Sequence, residues 1–145
     1  MRNYKLLFFG ALLAIGCAEE EVGPVLMDSS SFEAPIITNA ATRPSEVFTL
    51  EDFPDTYEVL KWERTNYGGI NLSTTYVVEI DKTEDFDAPK NLITTSADSA
   101  VITVENINNA MLSLGLPPFE EATAYIRLKS TVNGTTDTLY TDALY

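Results

Sequence analysis

The chain has 145 residues, of which 22 are acidic, 9 basic and none histidine, for a formal charge of −13. Such a charge repels nucleic acid and anionic lipid surfaces, which excludes nucleic-acid binding. The missing imidazole removes histidine-based Ser and Cys triads and the commonest metal ligand, while an apolar fraction of 45% and this length suit one folded domain.

The first five residues place Arg2 and Lys5 ahead of an apolar run, residues 6–15. Ten residues match the core of a signal peptide and fall well short of the roughly 20 that cross a bilayer as a helix. The run ends in Ala14, Ile15 and Gly16, followed by Cys17. The string Leu13-Ala14-Ile15-Gly16-Cys17 resembles the bacterial lipobox, with Ala14 where leucine is more usual. That resemblance implies removal of residues 1–16 as a lipoprotein signal peptide and a diacylglycerol on the Cys17 sulfur. Cys17 is the only cysteine, so it forms no disulfide within the chain. A lone thiol in an exported protein asks for an explanation, and lipidation supplies one. The plainer alternative is a secreted protein with an incidental cysteine. Cleavage leaves 7 basic against 22 acidic residues, a formal charge of −15.

Residues 17–31 read as an acidic flexible tether. Within it, Glu19, Glu20 and Glu21 resemble the surface-export signal of Bacteroidota lipoproteins; a solvated tether without meaning is the alternative. Residues 32–145 form the domain. Residues 33–38 read as an edge strand, because Pro35 cannot donate to a ladder. Residues 45–50 read as a second short strand and residues 57–67 as a stronger one, with Leu60 and Trp62 facing one side. Residues 75–82 alternate: Tyr76, Val78 and Ile80 point one way, Val77, Glu79 and Asp81 the other, the pattern of a half-buried antiparallel strand. Residues 92–95 and 100–104 follow as shorter strands.

Residues 105–114 break the β pattern. Ile107, Met111 and Leu114 lie at i, i+4 and i+7, one helical stripe, with Gly115 as the stop and Pro117-Pro118 blocking continuation. Residues 124–132 turn Ile126 and Leu128 inward against Arg127 and Lys129. Asn133-Gly134 then favours a tight hairpin into residues 138–140. About seven short strands and one helix between two late strands predict an all-β fold, an immunoglobulin-like or fibronectin type III-like antiparallel β-sandwich. Trp62 is expected in its core.

Val22-Gly23-Pro24-Val25-Leu26, Ala34-Pro35, Leu60-Lys61-Trp62, Tyr67-Gly68, residues 76–82, Ile107-Asn108-Asn109-Ala110-Met111, Leu114-Gly115-Leu116 and Leu139-Tyr140 occur in that order. Together they resemble the N-terminal domain of SusE-type outer-membrane lipoproteins, part of the starch-utilisation-like glycan uptake systems of Bacteroidota. The resemblance implies an immunoglobulin-like sandwich on the cell surface, near a SusC/SusD-type transporter. In that family glycan is bound mainly by further β-sandwich modules downstream, so no family glycan-binding residue is carried over. A spacer or scaffold is the implied role. The family's last strand runs on past Tyr140, so the last strand here is expected to be short or cut.

Three candidate sites remain. Acidic residues 81–87 offer carboxylates for Ca²⁺ but lack the glycine and distal glutamate of an EF-hand loop, and a solvated loop is the better reading. Tyr67, Phe86, Phe119 and Tyr125 could present flat rings to a sugar, against ordinary packing as the stronger alternative. A pair of carboxylates could serve glycoside hydrolysis, but so small a domain is a poor host, and no catalytic activity is expected. No metal or cofactor is implied. Alternatives to the spacer are a carbohydrate-binding module for polysaccharide and a protein-interaction domain docking to the transporter.

Overall fold

The computed structural model describes residues 29–39, 47–133 and 137–144. Cys17, Glu19, Glu20 and Glu21 lie outside the described residues. The strands are β1 (Phe32–Glu33), β2 (Ile36–Ile37), β3 (Thr56–Glu63), β4 (Asn66–Tyr67), β5 (Thr74–Asp81), β6 (Lys90–Thr95), β7 (Ser99–Thr103), β8 (Tyr125–Val132) and β9 (Thr138–Tyr140). One helix, α1 (Val104–Ser113), bridges β7 and β8.

All described pairings are antiparallel. They form a three-stranded sheet, β2-β3-β7, a four-stranded sheet, β6-β5-β8-β9, and a small ribbon, β1-β4. Leu60 and Trp62 of β3 and Ala100 and Ile102 of β7 share one core with Tyr76, Val78 and Ile80 of β5 and Leu128 of β8. The two larger sheets therefore face each other as a β-sandwich, the all-β class the alternation predicts. Trp62 is buried, its ring 5.5 Å from that of Tyr76. Its Nε1 finds no partner among the described residues, so packing holds the indole in place.

Three strands differ from the expectation. Residues 33–38 do not form one edge strand: the chain leaves the ladder at Ala34-Pro35, with β1 pairing to β4 and β2 to β3. Pro35 has no N–H to continue a ladder, so the chain changes partner there. Residues 57–67 divide after Glu63, because Thr65 spends its groups elsewhere. Its N–H donates to Tyr76 Oη at 3.2 Å and its hydroxyl pairs with Ser130 Oγ at 2.8 Å. The strand expected at 45–50 is corrected over its described part. Residues 47–49 join no ladder and Leu50–Asp52 is a 3-10 turn. The Asp52 carboxylate takes both the Thr49 N–H and the Thr49 hydroxyl at 2.8 Å, which folds the segment on itself.

Helix α1 is secured at both ends. Thr103 caps the start: its Oγ1 accepts from the Asn106 N–H, and Asn106 Oδ1 accepts from the Thr103 N–H, a reciprocal capping box. The next two orphan donors, Val104 and Glu105 N–H, reach the carbonyls of Asp55 and Phe53. At the other end Gly115, with φ +77°, donates to Leu112 O while Leu116 donates to Met111 O, a Schellman ending. Ile107, Ala110 and Leu114 face the core and Met111 packs against it, as the stripe predicts.

The β8–β9 hairpin is present, with Thr131 opposite Thr138; residues 134–136 lie outside the described residues. Strand β9 ends at Tyr140, and the residues after it keep contact with β8. Thr141 N–H donates to Leu128 O, the Thr141 hydroxyl accepts from Leu128 N–H at 3.0 Å, and Leu144 exchanges two bonds of 2.8 Å with Ile126.

Thr103→Ala should cost about 1 kcal/mol by urea unfolding, through loss of the cap. Gly115→Ala should cost about 1–2 kcal/mol through backbone strain alone, since a Cβ there meets nothing within 4 Å. The hydrogen bonds from the Thr49 N–H and hydroxyl hold the Asp52 carboxyl below its ordinary value of 3.8. A depressed folded-state value stabilises above the unfolded value and fades as pH falls through the folded one. Wild type and Asp52→Ala should thus differ in unfolding midpoint at neutral pH and converge in acid.

Candidate functional site

Strand β5 is central to its sheet, with β6 on one side and β8 on the other. Its inward residues Tyr76, Val78 and Ile80 are buried, but so are Glu79 and Asp81, which the alternation alone assigns to an outward face. A carboxylate taken out of water must be paired or hydrogen-bonded. Glu79 stands opposite Arg127 in the β5–β8 register. Arg127 Nη2 and Nε approach Glu79 Oε2 at 2.8 and 2.9 Å, and Lys129 Nζ lies 3.5 Å from Oε1. The Arg127 guanidinium is also stacked between two rings, 4.2 Å from the centre of Phe86 and 4.0 Å from that of Tyr140. Contacts of this kind contribute from about 0.5 kcal/mol when exposed to about 2 kcal/mol when desolvated.

Asp81 is spent on the loop that follows β5. Its carboxylate accepts from Lys82 N–H at 2.7 Å and Ala88 N–H at 2.9 Å, closing residues 82–88. Phe86 sits inside this loop with φ +51°, its N–H on Thr83 O. That left-handed backbone turns the ring down onto Arg127. Among the described residues no group of three or more acidic, histidine or cysteine side chains could hold a metal ion.

The four candidate aromatics do not make a shared platform. Tyr67 is 2% exposed and meets Phe32 edge to face at 5.1 Å, so it is withdrawn as a sugar-stacking residue. Phe86 is 6% exposed and its ring is against Arg127, so it is withdrawn for the same reason. Tyr125 is half-buried at the start of β8, opposite Asp81. Phe119 is fully exposed in a loop, with φ +64°.

A shallow groove of about 360 Å³ opens elsewhere, between the residue 47–57 segment and the start of α1. Val47, Phe48, Asp52, Asp55, Tyr57 and Val104 line it. The Phe48 and Tyr57 rings meet edge to face at 5.7 Å. Neither this groove nor the Glu79 cluster is marked in the sequence. The only signal for the cluster is an acid within the apolar run of β5 and alternating cations in β8, and joining them requires the register.

Removing the Tyr140 ring takes away one face of the Arg127 stack. Tyr140→Ala should loosen the last strand first, raising the hydrogen-exchange rates of the Ile126 and Leu144 amides more than those of β5.

The deep carboxylates are thus neutralised or hydrogen-bonded inside the fold, and no described helix is long and apolar enough to cross a membrane. No curated protein and no solved structure matches the chain. The family model of the SusE outer membrane protein matches residues 27–129, a span that runs from before β1 into β8 and takes in the core of both sheets. With most of its length matched, the chain belongs to the SusE outer membrane protein family.

Proposed function

We propose that this chain is an exported lipoprotein of the outer membrane, cut before Cys17 and held by lipid on that cysteine, with Glu19, Glu20 and Glu21 favouring the outward-facing leaflet. Its sandwich is a non-catalytic spacer or scaffold beside a SusC/SusD-type transporter, supporting the binding and uptake of a starch-like polysaccharide. The observation that carries this reading is the family match over residues 27–129, joined to an apolar run, residues 6–15, that is followed closely by the sole cysteine. Burial of Tyr67 and Phe86 supports a spacer over a sugar platform. The ion-paired Glu79 supports a structural use of the buried acid rather than a hydrolytic one. Phe119, fully exposed, is the feature that favours the second reading, a carbohydrate-binding module.

Two experiments separate these. Cys17→Ser should move the protein from the membrane fraction to the soluble fraction and abolish labelling by a fatty-acid probe; unchanged retention contradicts the anchor. Calorimetry of the protein with maltoheptaose should give no saturable heat under the spacer reading. Saturable binding that is lost in Phe119→Ala decides for the carbohydrate-binding module.

A further inference from the structure

Asn133 follows the last residue of β8 and is tied to the start of β5 at three points. Its N–H donates to Ser73 O at 3.0 Å, its Nδ2 donates to Ser73 Oγ at 2.9 Å, and its Oδ1 accepts from the Thr75 hydroxyl at 2.7 Å. The register carries the contact inward, with Thr74 opposite Val132 and Thr75 opposite Thr131. The carboxamide is thus committed to the neighbouring strand, although the residue itself is exposed and open to water. In the sequence Asn133 is followed by Gly134, and no other asparagine of the chain precedes a glycine. Glycine has no side chain to hinder its backbone nitrogen, which makes Asn-Gly the dipeptide most prone to cyclise.

We propose that Asn133 is a site of spontaneous deamidation, and that its bonds to Ser73 and Thr75 hold the reaction back in the folded protein. In this reaction the Gly134 backbone nitrogen gives its proton to solvent and bonds to the Asn133 Cγ. The Cγ–Nδ2 bond breaks, and the side-chain nitrogen leaves as ammonia. Water then opens the resulting cyclic imide at one of its two carbonyls, giving aspartate or isoaspartate. Bond formation pulls Cγ out of its resting place and makes it tetrahedral, which breaks the two side-chain bonds to β5. The reaction therefore runs through local opening of this end of the sheet. Either product puts a carboxylate where Nδ2 donated to Ser73, and isoaspartate adds one main-chain carbon at the entry to the β8–β9 hairpin. The inference stands apart from the lipid anchor and from the scaffold reading.

The test follows the full chain, purified in neutral detergent, through incubation in mildly alkaline buffer with and without unfolding urea. Conversion of Asn133 is read by mass spectrometry of the tryptic peptide that begins at Ser130. Folded wild type should react about tenfold or more slowly than in urea, the effect of two ordinary hydrogen bonds. Thr75→Val and Ser73→Ala should each speed the folded reaction about two- to tenfold and leave the rate in urea unchanged. Thr103→Ala, which removes the distant cap of α1, should leave the folded rate at the wild-type value. A folded wild type that reacts as fast as the unfolded chain overturns the proposal. So does a folded rate unmoved by Thr75→Val and Ser73→Ala, or one raised as much by Thr103→Ala, for then global unfolding, and not the contact with β5, controls the reaction.

Discussion

A buried carboxylate in the middle of a sheet constrains everything around it. Glu79 sits on the central strand β5, 3% exposed. Its charge is tolerable only because β8 brings Arg127 directly opposite and Lys129 within 3.5 Å. Arg127 in turn is flattened between Phe86, from the loop after β5, and Tyr140, from β9. One cluster therefore ties together the β5–β8 register, the 82–88 loop that Asp81 closes and the last strand. A register slip would strand the carboxylate and turn the β8 side chains to the wrong face. Such a pair adds little net stability over an apolar replacement, but losing one partner is expensive. Its value here lies in specifying one arrangement.

The same cluster bears on function. Arg127 and Lys129, two of the few cations in a strongly acidic chain, are turned onto Glu79 rather than left as a surface patch. Two of the four candidate rings are consumed by packing. Among the described residues, exposed apolar side chains such as Phe119, Val47 and Leu50 stay at the surface. The chain belongs to the SusE outer membrane protein family.

Elements governed by local rules were legible in the sequence. The Tyr76-Val78-Ile80 alternation gave β5 its core face, the Ile107-Met111-Leu114 stripe gave α1, and Gly115 marked its end. Leu60 and Trp62 were placed in the core by their spacing alone. Features that depend on which strand meets which were not legible. Glu79 read as outward because alternation carries no information about a partner strand that covers that face. Phe86 read as exposed because its left-handed turn follows from Asp81 closing the loop, a contact seven residues long. Residues 45–50 read as a strand because β-propensity outvoted a single Asp52–Thr49 cap. Pro35 marked residues 33–38 as an edge strand, but neither the interruption nor the change of partner there was legible.

The most direct test of this account is a double-mutant cycle on Glu79 and Arg127, read by chemical unfolding. Arg127→Met alone should cost about 3 kcal/mol, because it leaves the buried Glu79 with only the more distant Lys129, at 3.5 Å. Adding Glu79→Leu should recover much of that loss, since an apolar pair of similar size removes the stranded charge. Two small, additive losses would contradict the account, for they would mean that Glu79 is not tied to Arg127 and that the register, the loop and the last strand are held by something else.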